Sequence, residues 1–307
     1  MLPLTDVGVS LWLSMFACVC TACGQVAQLA NDADVPEDAV LSDAPVRMCD
    51  PTHAWGTPHA LETVNGPQRD VLPMLSRDEN TLFFASSRRQ GATDQDIWTA
   101  KRPSRTSAFG APTVVSEASS PANDSRPWIS ADLMTLYLHR VDGSQSRIFA
   151  ASRPTAAMPF SAPVAVGAID AEGAIESAPY FDEAEQRLWF VSDVGANGEI
   201  MSALRVGQQF SNPEPVSTIN TSAAESVPVP SMDGQYLLFS RTQSSGVVRM
   251  FIAHRGDRAA AFRERRELDE VFPGANVFAS WLSPDNCRLY FSSDRGGSHD
   301  LYMVEQR

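Results

Sequence analysis

Five segments of the chain align without gaps through two strand-like stretches: LPMLSRDENTLFFASS, RPWISADLMTLYLHR, APYFDEAEQRLWFVS, VPVPSMDGQYLLFSR and ASWLSPDNCRLYFSS. Each is anchored by a small polar or acidic residue, at Ser76, Ser130, Asp182, Ser231 and Ser283, with spacings of 54, 52, 49 and 52. Six residues past every anchor stands a leucine: Leu82, Leu136, Leu188, Leu237 and Leu289. A constant offset within a variable period marks duplicated units whose loops have gained or lost residues. Repeats of this length constrain the fold more than any other feature of a sequence.

Each unit reads as strands. An apolar stretch meets an Asp-, Asn- or Gly-rich turn, and a second strand follows with aromatic and β-branched character, such as Thr81 to Ser86. A loop then leads to a third strand, at Asp96-Ile97-Trp98, Arg147-Ile148-Phe149, Glu199-Ile200-Met201, Arg249-Met250-Phe251 and Asp300-Leu301-Tyr302. A fourth-strand signature comes next, at Phe109 to Pro112, Phe160 to Pro163, Phe210 to Pro213 and a degraded Phe262. Four strands in about 50 residues make a propeller blade. The fifth copy stops at Arg307, after its third strand, and its missing signature stands at the other end as Trp55-Gly56-Thr57-Pro58. The N-terminal strand is therefore expected to complete the last blade and close a five-bladed ring, which removes open sheet edges. An open solenoid is the alternative, but it would not need its last strand supplied from the front.

The phrases Ser283-Pro-Asp-Asn-Cys-Arg-Leu-Tyr-Phe-Ser-Ser-Asp-Arg-Gly-Gly297 and Asp300-Leu-Tyr302 resemble the TolB-type WD40-like (PD40) propeller repeat. The resemblance runs over about residues 51 to 307. Copies one and five match best, while copy two lacks the Ser-Asp-Arg element. It implies an all-β propeller fold and a role as a binding scaffold of the periplasm or cell surface.

Residues Val7 to Val19 are largely apolar and run into Cys20-Thr21-Ala22-Cys23-Gly24. That length suits the core of a signal peptide and is short for a membrane-spanning helix. The ending resembles a bacterial lipobox, which would make Cys23 the lipidated first residue of a mature protein on the outer membrane. The segment departs from that pattern in carrying Asp6 and no Lys or Arg before the apolar run, and Cys18 and Cys20 stay open as cleavage sites. Residues 24 to 50 are polar and acidic with no periodicity, so they read as a flexible linker. The expected organisation is a lipoprotein-type signal peptide at 1–23, the linker at 24–50 and the propeller at 51–307.

A carboxylate stands six residues before four of the five anchors: Asp70, Asp124, Glu176 and Glu225. The fifth copy has Val277 there. These positions lie in the loop entering each innermost strand, so the acids should ring the mouth of the central channel. Like charges in a narrow ring require arginines, cations or raised pKa values. One reading pairs each acid with Arg88, Arg241 or Arg295 of an adjacent blade. The other makes the ring a funnel for a divalent cation or for a basic group on a peptide, and no other cofactor is implied.

The five histidines (His53, His59, His139, His254, His299) show no metal-ligand spacing, and no Gly-x-Ser-x-Gly elbow occurs. Two funnel carboxylates could serve a glycosidase, yet catalytic acids need unequal environments, and four acids at one repeat position look like duplication. The aromatic column Phe83, Tyr137, Trp189 and Tyr290 reads as packing between blades. Cys49 and Cys287 flank the closing blade and read either as a disulfide or as two unrelated thiols. A formal charge of -13 with no basic stripe excludes nucleic acid as a partner. The reading carried forward is a non-catalytic, TolB-like propeller of the cell envelope that binds a protein or peptide and meets the membrane only through its lipid. The rival is a carbohydrate-active hydrolase using the ring acids.

Overall fold

The structure, a computed structural model, describes residues 48–89, 94–169, 174–194 and 197–307. The expected signal peptide, Cys23 and all but the end of the linker lie outside the described residues. Strand β1 (His59–Ala60) comes first in the chain and last in the ring. Blade one is β2 (Asp70–Leu75), β3 (Thr81–Ser86), β4 (Asp96–Lys101) and β5 (Thr113–Val114). Blade two is β6 (Asn123–Ile129), β7 (Thr135–Asp142), β8 (Gln145–Ser152) and β9 (Val164–Ala165). Blade three is β10 (Glu176–Asp182), β11 (Arg187–Ser192) and β12 (Glu199–Val206), its outer place divided between β13 (Gln209–Phe210) and β14 (Glu214–Pro215). Blade four is β15 (Glu225–Pro230), β16 (Tyr236–Thr242), β17 (Val248–His254) and β18 (Arg263–Glu267). Blade five is β19 (Val277–Leu282), β20 (Arg288–Ser293) and β21 (Asp300–Glu305), with β1 outermost. The fold is an all-β, five-bladed propeller of antiparallel blades.

The anchors act through a local turn. Ser76, Ser130, Ser231 and Ser283 each donate their hydroxyl to the Asp two residues on, at 2.5 to 2.6 Å. The same oxygen accepts the backbone N–H five residues on, from Thr81, Thr135, Tyr236 and Arg288. The third residue past the anchor is left-handed, at Glu79, Leu133, Gly234 and Asn286. In blade three Asp182 caps the turn instead, and the left-handed residue falls one later, at Gln186. The turn sets the register of the second strand, which explains the fixed leucine: all five are fully buried.

Ring closure follows from pairing His59 with Met303 and Ala60 with Tyr302. Trp55, fully buried, bridges to Gln306. Gly56 donates to the Glu305 carbonyl at 2.8 Å, and a Cβ at Gly56 would lie 2.8 Å from that oxygen. Only glycine lets the two strands approach so closely here. Asn65 locks the far end by donating to the Leu301 carbonyl and accepting its N–H. A disulfide joins Cys49 to Cys287 with Cα atoms 5.1 Å apart, across a sequence separation of 238.

Cross-linking so distant a pair restricts the unfolded chain strongly. Cys287→Ser is expected to cost about 2–5 kcal/mol, lowering Tm by roughly 5–15 °C in a calorimetric scan. Unreduced, denatured protein lacking the signal segment should show no reactive thiol from this pair.

Candidate functional site

Each acid of the repeat is the first or second residue of an innermost strand, at the end away from the anchor turn. Asp70, Asp124 and Glu225 have no exposed surface, and Glu176 has 1%. Three of the four share one arrangement. Asp70 takes Arg88 Nη2 at 2.6 Å and the Gly66 N–H at 2.7 Å. Asp124 takes Arg140 Nε at 2.5 Å and the Ser120 N–H at 2.7 Å. Glu225 takes Arg241 Nε at 2.7 Å and the Thr221 N–H at 3.1 Å. The same arginines donate onward to the Val64, Ala118 and Ile219 carbonyls. Acid and arginine together hold the segment that crosses from one blade to the next. Aromatic rings of the same blade floor each guanidinium: Trp98 under Arg88 at 5.3 Å, Phe149 under Arg140 at 4.8 Å and Phe251 under Arg241 at 4.7 Å.

These arginines belong to the acid's own blade, which corrects the expectation of partners on an adjacent one. Asp124 and Arg140, and Glu225 and Arg241, are register partners on neighbouring strands, so strand pairing itself brings them together. Arg140 was not foreseen, although Arg140 and Arg241 both stand ten residues past their anchors. Arg295 lies over Phe272 at 4.8 Å and takes no ring acid. In blade five the clamp is reversed, for Asp294 accepts both the N–H and the side-chain amide of Asn276. Among the described residues no group of three or more His, Cys, Asp or Glu is placed to hold a metal ion. Trp128, Tyr180 and Trp281 are buried, as is the aromatic column Phe83, Tyr137, Trp189 and Tyr290.

Between the acids and the anchor turns the channel narrows. Leu72, Arg126, Ala178 and Val227 adopt φ of 58°, 54°, 52° and 48°, and each precedes a proline. Such a conformation costs on the order of 1–3 kcal/mol per non-glycine residue, and here it forms a bulge in four innermost strands. The four bulges crowd the axis around a cavity of about 20 Å³ that residues of all five blades line. On the anchor-turn side lies a funnel of about 50 Å³, where Met74, Trp128, Tyr180, Met232 and Trp281 meet the charged side chains of Arg77, Asp182 and Glu183.

Arg126 is the one charged residue among the four left-handed bulge positions. The residue as a whole is partly covered, but its Nη1 is sealed and finds no hydrogen-bond partner among the described residues. Burial, and after it the positive charge of Arg69, push its guanidinium down to about 10, so it stays charged near neutrality. His139 lies nearby, its Nδ1 3.2 Å from Ser125 Oγ and its Nε2 2.6 Å from Ser146 Oγ. Burial, then the charge of Arg126, push His139 down to about 3, so the folded protein keeps it neutral. Sequence reasoning passed over Arg126, though the signal was present: four residues before the anchors the copies read Leu, Arg, Ala, Val and Ala.

Fold and channel define the class: a five-bladed propeller whose repeated acids are sealed into loop clamps. No family model matches the sequence, and no curated protein matches it. Among solved structures it is similar to the catalytic domain of a Coprinopsis cinerea GH62 alpha-L-arabinofuranosidase, at 12% identity and TM-score 0.55, over 84% of this chain and 98% of that one. It is also similar to an alpha-L-arabinofuranosidase from Podospora anserina in complex with cellotriose, at 12% identity and TM-score 0.54, over 83% and 97%. TolB from Acinetobacter baumannii matches at 14% identity and TM-score 0.46, over 78% of this chain, which spans 55% of that protein's length. Identities this low show a shared fold and leave the activity to the site.

Asp124→Ala would strand the Arg140 guanidinium and the Ser120 N–H together, so it should cost about 3 kcal/mol or more, with Asp124→Ala/Arg140→Leu recovering part of the loss in urea titration. His139 supplies a pH prediction. Its unfolded imidazole titrates near 6.5 and its folded one near 3, so the unfolded chain binds the extra proton between those values. Stability from this group is complete above pH 6.5 and falls as pH drops toward 3, by on the order of a few kcal/mol. Denaturant midpoints of His139→Gln should decline less over that window than those of the wild type.

Proposed function

We propose that this chain is a non-catalytic binding propeller of the cell envelope. It recognises a protein or peptide on the face where the innermost strands begin, and a lipid on Cys23 tethers it to the outer membrane. One observation carries the non-catalytic part: the four repeated acids are at most 1% exposed, and three of them have both oxygens engaged. A retaining or inverting glycosidase needs two carboxyl groups that reach the sugar, about 5–5.5 or 6.5–9.5 Å apart. Carboxylates that hold loops by two or three hydrogen bonds each cannot shuttle protons to a substrate without releasing those loops. Recognition of a partner by loop residues on a rigid ring asks for no such freedom. The resemblance of the repeat to TolB-type propellers supports the envelope setting, as does the apolar run ahead of Cys23.

The hydrolase reading is tested with arabinoxylan and with xylo-, arabino- and cello-oligosaccharides. Neither wild type nor Glu176→Gln is expected to release sugar, and release by the wild type that Glu176→Gln abolishes would establish the enzyme. For the tether, Cys23→Ala should move the protein from the membrane fraction to the soluble envelope fraction. Mass spectrometry of the wild type should find a diacylglyceryl adduct on that cysteine; an unmodified Cys23 in membrane-bound protein contradicts the anchor.

A further inference from the structure

In four blades an arginine donates its backbone N–H to the carbonyl just before the second strand: Arg102 to Asn80, Arg153 to Met134, Arg205 to Gln186 and Arg255 to Gln235. Three of these arginines then lock onto their own anchor turn, giving Nε to the carbonyls of Glu79, Leu133 and Gly234 at 2.6 to 2.7 Å. Arg205 does not. Its Nε donates to the Gly207 carbonyl at 3.3 Å, and its guanidinium lies 5.8 Å over the ring of Phe181 rather than on the fourth-strand Phe210. Phe210 packs edge-on against the same Phe181 ring, at 6.1 Å, and Tyr137 of blade two lies 5.9 Å from it. Arg205 is exposed, and its two Nη atoms make no hydrogen bond or ion pair among the described residues. The aromatic shelf and the Gly207 bond hold the guanidinium in place while its fork stays open.

The redirected arginine opens onto a cleft. The hairpin that β12 and β13 form around Gly207 (φ 64°) is particular to blade three, whose outer place is divided between two short strands. Between that hairpin and the outer strand of blade two lies a space of about 730 Å³, lined by Tyr137, Val164, Val166, Gln208 and Phe210, with Arg205 its one charged residue among those described. Val164 is 70% exposed there. β9 and β13 are each the last strand of their sheets, so both carry an unpaired outer backbone edge.

We propose that the lateral cleft between blades two and three binds an extended acidic peptide segment, which lies along the open strand edges and gives a carboxylate to Arg205. A volume of about 730 Å³ falls inside the range of roughly 300–1,000 Å³ typical of ligand sites. An open strand edge pairs with the backbone of an extended chain, and the side chains beside it choose the sequence. Here those side chains are Val164 and Phe210, which favour apolar residues, and Arg205, whose planar fork matches the two oxygens of a carboxylate. With one uncompensated positive charge and no acid in its lining, the cleft selects against a basic segment. The site lies between outer strands, apart from the acid-side mouth, and does not rest on the reading given above for that face.

The test immobilises the whole protein, extracted in mild detergent, and offers it pools of acetylated, amidated hexapeptides. Each pool carries Glu, Gln or Lys at the third position, with the other positions drawn from Val, Leu, Ser and Thr, and retained peptide is measured by mass spectrometry. Wild type should retain the Glu pool roughly fivefold better than the Gln pool, the fold-change of an ion pair at a solvent-exposed site, and the Lys pool least. Arg205→Gln should bring the Glu pool down to the level of the Gln pool. Val164→Glu, at a position exposed enough to accept the change without unfolding, should repel the Glu pool and leave the Lys pool bound no worse than in wild type. The bound Glu pool should slow hydrogen exchange at the amides of Val164 to Val166 and Gln208 to Phe210. Retention of no pool, equal retention of the Glu and Gln pools, or a preference for Glu that survives in Arg205→Gln overturns the site. Oligogalacturonate that displaces the Glu pool as well as excess Glu peptide does marks a cleft for acidic saccharide and overturns the peptide assignment. Sugar release in the hydrolase assay would remove the scaffold reading and leave these outcomes unchanged.

Discussion

The structure depends on one pairing, that of β1 with β21, because it alone ties the start of the propeller sequence to its last blade, which would otherwise lack an outer strand. The pairing is a short ladder, two residue pairs and one bridge, and alone it would be weak. It is reinforced from several directions. Trp55 is buried beside it, Gly56 permits the close approach to Glu305, and the Arg266–Glu270 pair ties down the segment that precedes it through the Thr52 and His53 carbonyls. The Cys49–Cys287 bridge adds a covalent fastening at the anchor-turn end of the same blade. Segments more than 200 residues apart in sequence are thus joined by polar contacts, one glycine and one disulfide rather than by a long sheet.

Once the ring is closed, each blade faces the same geometric problem: the chain must leave an outer strand, cross the sheet and enter the next innermost strand. The acid–arginine clamp meets it in three blades. A carboxylate satisfies a crossing-segment N–H, an arginine satisfies a carbonyl of the same segment, and the two charges neutralise each other. Burial of these ionised groups is tolerable because each acid and each arginine of the three clamps is paired and hydrogen-bonded. The aromatic of the third strand, at Trp98, Phe149 and Phe251, forms the shelf on which the guanidinium lies. The anchor turn repeats a second solution at the opposite end, where Arg102, Arg153 and Arg255 stack on Phe109, Phe160 and Phe262. The fourth-strand phenylalanine is therefore a packing partner for an arginine as much as the start of a strand.

Against this repetition, the exceptions stand out. Blade two carries a charged side chain at a bulge position that is apolar in the other copies, and it sends a guanidinium toward the axis with one nitrogen unsatisfied. Blade five replaces the ring acid with Val277 and reverses the clamp through Asp294. Where duplicated units diverge at a position that the fold does not require to differ, function has room to act.

The five-bladed fold was legible because its signals are local and recur: the Ser-x-Asp turn fixes strand register within eight residues, and the fixed leucine reports the core by position alone. Closure was legible too, since a signature missing at one end of the chain appears at the other. The column of acids at Asp70, Asp124, Glu176 and Glu225 could be seen, but its meaning could not. Whether a carboxylate faces solvent or an arginine depends on which residues strand pairing sets opposite it, and Arg140 becomes the partner of Asp124 only when β6 and β7 are in register. Arg126 was visible as an odd letter in an apolar column. Its isolation is a property of the axis, where side chains from all five blades converge from distant parts of the sequence. Short-range order came from the sequence; the balance of charge in the channel was decided by the tertiary structure, because pairing and burial in a ring are set by neighbours the chain brings together only on closing.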